Sequence, residues 1–161
     1  MNLLFFQDQI ELVNMFVNII IIIFEFYLFS FFGFIIDTAY RTWENKKIVM
    51  GNYLYPVPIC PIYGLGALFL SFYFKYSSPG NLYLSFFMAA SVLILLELFG
   101  AIFCKKVLKA VLWDYSKKKL NYKGYIDLTH SLWWLILVVF FYYFIFPSII
   151  VLEEQLRYIL L

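Results

Sequence analysis

Four long apolar stretches occupy most of this chain and restrict what it can fold into. Three of them reach or exceed the roughly 20 residues that a helix needs to cross a bilayer, and one is shorter. Hydrophobic residues make up 65% and aromatic residues 24% of the 161 residues, well above a soluble domain. We therefore predict an all-α, polytopic membrane helix bundle, a single domain over residues 1–161, with about four transmembrane helices at residues 12–36, 59–74, 82–104 and 128–150.

The shortest stretch, residues 59–74, has an irregular start. Prolines and glycines lie close together there, which indicates a broken or partly re-entrant helix, so whether it crosses the membrane fully is left open. Serine, proline and glycine then punctuate residues 75–81, which predicts a tight turn and a helical hairpin with the third stretch.

Two acidic residues, Glu25 and Glu97, fall inside the apolar stretches. A carboxylate near the membrane interior costs at least ~2.5 kcal/mol, so it is expected to face a partner or water rather than lipid. For Glu97 a hydrogen bond to a tyrosine, serine or backbone group is as plausible as a transport or binding role. Glu25 could face a water defect or a symmetry partner in an oligomer. Asp37 lies twelve residues after Glu25, about 18 Å along a continuous helix, so the two cannot form one cluster.

Basic residues are unevenly distributed and predict the topology. Residues 37–58 hold three Lys or Arg and residues 105–127 hold seven, whereas the rest of the chain holds only Lys75 and Arg157. With four spans, the positive-inside rule places both loops in the cytoplasm and both termini outside. That orientation depends on residues 59–74 crossing fully.

The second basic loop has an amphipathic start. On a helix, Lys105, Lys106 and Lys109 would share one side while Val107 and Leu108 would lie on the other, which is typical of an interfacial helix on an anionic leaflet. The alternative is a loop whose lysines only set the topology.

The sequence carries no pattern for a cofactor or for catalysis. With one histidine and two cysteines, it has no zinc-ligand spacing, and glycine-rich nucleotide-binding motifs are absent. Cys60 and Cys104 fall at span ends predicted to be cytoplasmic, where free thiols are expected. We therefore expect no cofactor, no bound metal and no enzymatic activity, and ATP-derived energy would have to come from another chain.

Four short motifs occur in order along the chain: Pro58-Ile59-Cys60-Pro61-Ile62-Tyr63-Gly64, Leu96-Glu97, Trp113-Asp114-Tyr115-Ser116 and Asn121-Tyr122-Lys123-Gly124. With them the chain resembles, from Phe32 to Pro147, one known family, the bacterial CmpB-like family of putative ABC-transporter permeases, type IV. Phe32-Gly33-Phe34 with Asp37 stands where the family has Phe-Gly-Trp and a glutamate, so an aromatic residue and an acid are both conservatively altered. The chain also departs from the family pattern at residues 52–55, where an arginine and a glycine are missing, and at Val57, which replaces a glycine.

This resemblance implies a permease-like protein of the bacterial cell membrane, with no nucleic-acid partner and no substrate that the sequence identifies. A bundle this small rarely encloses a pathway alone, so we expect a homo-oligomer or a separate ATP-binding subunit. The motif residues and the polar groups near them are the candidate binding residues: Asp37, Cys60, Pro61, Tyr63, Gly64, Glu97, Trp113, Asp114, Tyr115, Asn121 and Gly124.

Two other classes of function stay open. One is an accessory or assembly subunit that binds another membrane protein through its aromatic-rich helices. The other is a small membrane enzyme acting on a lipid, with Asp37, Glu97, Asp114 and His130 as its acid–base set, although no nucleophile and base pair shows a recognisable spacing.

Overall fold

Helices dominate the computed structural model, which describes residues 3–49, 57–77 and 80–160. The last helix is continuous but has a π-helical segment in its middle, and a small antiparallel hairpin precedes it, pairing Asn121 with Asp127 and Tyr122 with Ile126. The elements are α1 Leu3–Asn45, α2 Pro61–Tyr76, α3 Leu82–Lys106, β1 Asn121–Tyr122, β2 Ile126–Asp127, α4 Leu128–Phe140, the π-helical segment Phe141–Ile145 and α5 Phe146–Leu160.

The predicted fold class, a polytopic helical bundle, is confirmed. Three described helices, Gln9–Asn45, Leu82–Lys106 and Leu128–Leu160, are long and apolar enough to cross a membrane. The element expected at residues 59–74 is α2, which has 16 residues. At 1.5 Å per residue it spans about 24 Å, less than the ~30 Å of a hydrocarbon core.

The first helix is longer at both ends than the predicted span of residues 12–36. Between Gly33 and residue 51 the chain has neither glycine nor proline, so nothing stops the helix at Asp37, the first residue after the predicted span. Asp37 and Arg41 instead form an ion pair one turn apart, which supports helix. The helix ends at Asn45, and Lys46 then takes a positive φ of 52°.

The last helix passes through Pro147 and continues beyond residue 150, where the sequence predicted it to end. Proline lacks the N–H that an α-helix requires and its ring crowds the preceding turn. The π-helical segment lies directly before it, and the Phe146 N–H donates to the Phe141 carbonyl five residues back. This wider turn accommodates the proline, and the helix runs on to Leu160.

Glycines let α1 and α2 approach closely. A Cβ at Gly33 would overlap the Tyr63 ring, and one at Gly64 would overlap the Ser30 hydroxyl. The Cys60 N–H donates to the Ser30 carbonyl at 2.8 Å, so the irregular start of α2 is satisfied by α1. Close contacts of this kind are how small residues join helices where water does not drive association.

The core lies where α3 meets the last helix. Ala89 and Leu93 of α3 are almost fully buried, as are Val138 of α4 and Ile149 of α5. Together with Phe74 of α2 they belong to one cluster of buried side chains, which fixes the positions of all the helices that carry the polar groups described below.

Of the two alternatives considered after α3, the structure has the loop and not the interfacial helix. Lys105 and Lys106 form the last turn of α3, and residues 107–120 contain bends and turns but no helix. The Ala110 N–H closes the end of α3 by donating to the Cys104 carbonyl at 3.0 Å, and Lys109 has a positive φ of 55°. The chain therefore turns back over the bundle. We call residues 107–127, up to the start of α4, the basic loop.

Candidate functional site

A buried glutamate joins the basic loop to two helices. Glu97 of α3 is only 4% exposed. One of its carboxylate oxygens accepts from the Tyr115 hydroxyl at 3.0 Å, and the other accepts from the Trp134 indole N–H at 2.9 Å. Both oxygens are therefore occupied, and one side chain connects α3, the basic loop and α4.

The Tyr115 phenol is held as a donor. Burial raises its pKa above the ordinary value for tyrosine, and the nearby Glu97 carboxylate raises this pKa further. A phenol in this setting keeps its proton at neutral pH, which the hydrogen bond to Glu97 requires.

The motif residues of the basic loop hold one another in place. The Tyr115 N–H donates to the Gly124 carbonyl at 2.9 Å, and the Gly124 N–H donates to the Asn121 amide oxygen at 3.0 Å. Gly124 has a φ of +75°, and a Cβ there would overlap the Asp114 carboxylate. Trp113 donates its indole N–H to the Tyr125 carbonyl at 3.0 Å. The two motifs thus fold into a single turn that presents Tyr115 to Glu97.

Asp114 stabilises the same turn from the solvent side. Its carboxylate accepts from the Ser116 N–H at 2.9 Å, as the sequence had suggested. This hydrogen bonding lowers the pKa of Asp114 below its ordinary value, with smaller contributions from Lys105 and Lys117. Lys118, two residues further along, pairs with Glu44 of α1, and this bond raises its pKa.

An aspartate–histidine pair lies behind Tyr115. The rings of Tyr115 and His130 stack with centroids 4.1 Å apart and an angle of 18°. The imidazole Nδ1 of His130 hydrogen-bonds to Asp127, which is 1% exposed. The other oxygen of Asp127 caps α4 by accepting from the Thr129 N–H at 3.2 Å. Glu97 with Tyr115 and Asp127 with His130 are therefore two hydrogen-bonded pairs, and the stacked rings of Tyr115 and His130 hold them together.

Asp37 and Arg41 attach α1 to the same region. The Arg41 guanidinium lies 2.8 Å from the Asp37 carboxylate and also donates to the Leu112 carbonyl at 2.9 Å. A small cavity of about 60 Å³ brings six of the candidate residues together with Arg41 and Trp134. Those six are Asp37, Cys60, Tyr63, Glu97, Trp113 and Tyr115.

The remaining candidate residues have structural positions. Pro61 is the first residue of α2, a position where its missing N–H costs nothing. Gly64 packs against α1, whereas Asn121 and Gly124 shape the basic loop. The departure from the family pattern at residues 52–55 lies outside the described residues.

Glu25 belongs to a different cluster. It is 4% exposed, and its Oε1 has no hydrogen-bond partner among the described residues, while Lys75 of α2 pairs with the neighbouring Glu153 of α5. Glu25 thus lies beside an ion pair from within the chain, and a water or a symmetry partner for its free oxygen stays a prediction. As expected, Glu25 and Asp37 lie in separate clusters.

Two important members of the site were not singled out from the sequence as site residues. Arg41 counted only as a topology-setting charge, although its spacing of four residues from Asp37 is the spacing of a helical ion pair. For Trp134, several residues inside its apolar stretch, the sequence favours a packing role over a position in an interfacial belt. An indole N–H inside one apolar stretch and a carboxylate inside another was the available signal, since buried polar groups need partners.

Two larger cavities lie beside the small one. The first, the apolar cavity, measures about 390 Å³ and is lined mainly by hydrocarbon and aromatic side chains of α1, α2 and the last helix. The second, the polar cavity, measures about 590 Å³ and lies between the end of α1, the basic loop and the start of α4.

Within the described residues, no group of three or more His, Cys, Asp or Glu side chains could hold a metal ion. Cys60 and Cys104 are both free thiols.

Comparison with known proteins gives one family. The model of the family described as "Putative ABC-transporter type IV" matches residues 24–160, which include every motif discussed above. No curated protein and no solved structure matches the chain.

Proposed function

Since the chain belongs to this family of type IV ABC transporters, a family of membrane proteins, we propose that it is a permease-like subunit acting with a separate ATP-binding subunit. The observation that carries the proposal is the double hydrogen bond of Glu97 to Tyr115 and Trp134. Through it, a displacement of the basic loop is transmitted directly to α3 and α4.

The basic loop is the surface we assign to the ATP-binding subunit. It is ordered by its own hydrogen bonds and is fastened to α1 through Arg41 and to α3 through Glu97. It also carries most of the lysines that the positive-inside rule places in the cytoplasm, where ATP is available. We therefore propose that residues 37–58 and 105–127 are cytoplasmic and that both termini are outside.

The hydrogen bonds of two buried acids favour a structural role for these two residues. The Glu97 oxygens are taken by Tyr115 and Trp134, and those of Asp127 by Thr129 and His130. These carboxylates hold elements together, and a general acid or base would need a free oxygen facing a substrate.

Purification from the native membrane in mild detergent, followed by mass spectrometry, tests the proposal. We expect an ATP-binding subunit in stoichiometric amount with the tagged wild-type chain. Recovery with an unrelated membrane protein would favour an accessory role, and recovery alone would favour a homo-oligomer.

A matched pair of variants then tests the part played by Glu97. Glu97→Gln keeps the shape of the side chain but removes the charge that strengthens its hydrogen bonds to Tyr115 and Trp134. Glu11→Gln makes the same change at an exposed site of α1. We expect the ATP-binding subunit to be lost or reduced with Glu97→Gln only, at equal expression and with the same elution volume. Equal retention by both variants would contradict coupling through Glu97.

A further inference from the structure

The apolar cavity and the polar cavity adjoin. Ile36 of α1, Tyr63 of α2 and Leu137 of α4 line both of them. A molecule occupying one cavity therefore meets the other without crossing a helix. One cavity is apolar, the other is polar, and three side chains line both. This arrangement suits an amphiphile, which has an apolar chain and a polar head.

The apolar cavity suits a hydrocarbon chain. Its lining includes Leu70, Leu93, Phe141 and Ile149, which come from α2, α3, the π-helical segment and α5. Its volume of about 390 Å³ lies in the range of small-molecule sites, which are roughly 300–1,000 Å³. Ser148, an exposed residue of α5, also lines it and donates its hydroxyl to the Phe144 carbonyl.

The polar cavity is lined by two ion pairs and by two further charged residues, Asp114 and Lys117. Arg41 pairs with Asp37, and Lys118 pairs with Glu44. Lys117 also lines this cavity, and its ammonium makes no hydrogen bond or ion pair with the part of the chain that the structure describes. An anionic group placed here would meet Lys117 without displacing an existing partner.

His130 also lines the polar cavity. Its Nδ1 is bonded to Asp127, and its Nε2 has no partner among the described side chains and backbone but is fully buried, so this nitrogen does not open onto the cavity.

We propose that the two cavities form one binding site for a single-chain anionic amphiphile. Its hydrocarbon chain occupies the apolar cavity, and its phosphate or carboxylate head occupies the polar cavity beside Lys117 and His130. The site is defined by the cavities and does not depend on an ATP-binding subunit, so binding to the purified chain tests it separately from the permease proposal.

Binding is measured with three radiolabelled probes on the full chain in non-ionic detergent: palmitoyl-lysophosphatidylglycerol, palmitate and neutral monopalmitoylglycerol. We expect saturable binding of at least one anionic probe at one molecule per chain. The anionic probe that binds more tightly identifies the head group as phosphate or carboxylate. We expect the neutral probe, with the same chain, to bind about tenfold more weakly or not at all. Equal binding of all three probes would overturn the proposal.

Two pairs of variants locate the site. Ser148→Trp fills the apolar cavity, whereas Ser91→Trp makes the same change on α3 at a serine with the same bond to a carbonyl four residues back and no position in the cavity. Lys117→Glu reverses the unpaired charge, whereas Lys119→Glu reverses an exposed neighbour outside the cavity lining.

We expect Ser148→Trp and Lys117→Glu to weaken anionic binding by about tenfold or more and the two controls to bind as the wild type does. Because Lys117 is exposed, its variant keeps the test decisive if Ser148→Trp fails to fold. Wild-type binding by Lys117→Glu, or an equal loss with Lys119→Glu, would overturn the assignment.

Discussion

At the scale of single residues, Glu97 shows how a carboxylate is kept inside an apolar bundle. Its oxygens are satisfied by a phenol from a loop and an indole from a helix, neither of which carries a compensating positive charge. Aromatic donors bring large apolar rings along with their polar atoms, so they bury well on every side except the donor. The Glu97 carboxylate is therefore fully hydrogen-bonded while its surroundings are mainly apolar rings.

Removing one donor should destabilise the protein measurably. Tyr115→Phe leaves a buried carboxylate oxygen without a partner, and we expect a loss of about 1.5–3 kcal/mol in unfolding free energy. Tyr83→Phe is the control, because Tyr83 is 85% exposed. Unfolding by SDS in mixed micelles, followed by circular dichroism, measures both. In the double variant with Glu97→Gln the two losses should not add. Additive losses would show that the two side chains do not interact.

Gly124 is a second residue whose identity the structure explains. Its φ of +75° and the nearness of the Asp114 carboxylate exclude a side chain. We expect Gly124→Ala to cost about 1–3 kcal/mol, since it imposes strain on the turn that positions Tyr115. Gly80→Ala is the matched control, because no atom of the described residues lies within 4 Å of a Cβ there. Equal stability of the two variants in the same SDS titration would refute this account of the turn.

At the scale of elements, the pairing of α1 with α2 depends on small side chains. The start of α2 lies beside Ser30 and Gly33, well before α1 ends. Backbone that is not helical is tolerated at such depth only where protein covers it. The bond from Cys60 to Ser30 provides this cover.

Enlarging the contact residue should separate the two helices. In Gly64→Val the new side chain would overlap both the Ser30 hydroxyl and the Phe26 carbonyl, so we expect loss of the folded protein or an instability of at least about 2 kcal/mol. Gly100→Ala is the control, because its Cβ would make only ordinary contacts at 3.6 Å. Elution volume and unfolding midpoint are compared, and a well-folded Gly64→Val protein would contradict the close contact.

The elements differ in how far the sequence predicts them. Helices α3 and α4 begin at the predicted residues, Leu82 and Leu128. In both cases a polar turn is followed directly by a long apolar run, and this change in the sequence marks the start of the helix. The end of α1 was predicted at residue 36 because the sequence becomes polar there. Polar residues without a glycine or proline can equally continue a helix, and α1 runs on to Asn45. The π-helical segment was missed because hydrophobicity carries no information about hydrogen-bond register.

The site was predicted in its acids but not in their partners. Glu97 is identified by its cost in an apolar stretch, a property of the local sequence. Its donors lie 18 and 37 residues away along the chain, and nothing in the spacing connects them. Such contacts follow from the packing of α3 against α4 and from the fold of the basic loop, which single-residue patterns do not encode.

At the scale of the whole molecule, polar clusters lie at two levels of the bundle. Glu97, Asp37 and His130 mark one level, and the cluster of Glu25, Glu153 and Lys75 marks the other. Glu25 and Asp37 are about 18 Å apart along α1. The apolar cavity lies between these levels, with Phe29, Ile36 and Leu152 in its lining.

Cysteine labelling checks the orientation of the bundle. In a background with Cys60 and Cys104 replaced by serine, we expect Lys119→Cys to react with a membrane-impermeant maleimide only after the cells are opened. Tyr158→Cys, at a 90% exposed residue of α5, should react in intact cells. Lys119 belongs to the loop richest in lysine, and the positive-inside rule places that loop in the cytoplasm. The reverse pattern of labelling would invert the topology.

The π-helical segment divides the last helix into two halves with separate attachments. The half before it is fixed by Trp134 to Glu97, and the half after it is fixed by Glu153 to Lys75. In this segment, the Phe146 N–H bonds to a carbonyl five residues back, and Pro147 has no N–H to donate. The regular backbone hydrogen bonding of the helix is therefore weakest there. We therefore expect the last helix to twist at this segment more readily than in either half, so that each level of the bundle can turn while the other keeps its bonds.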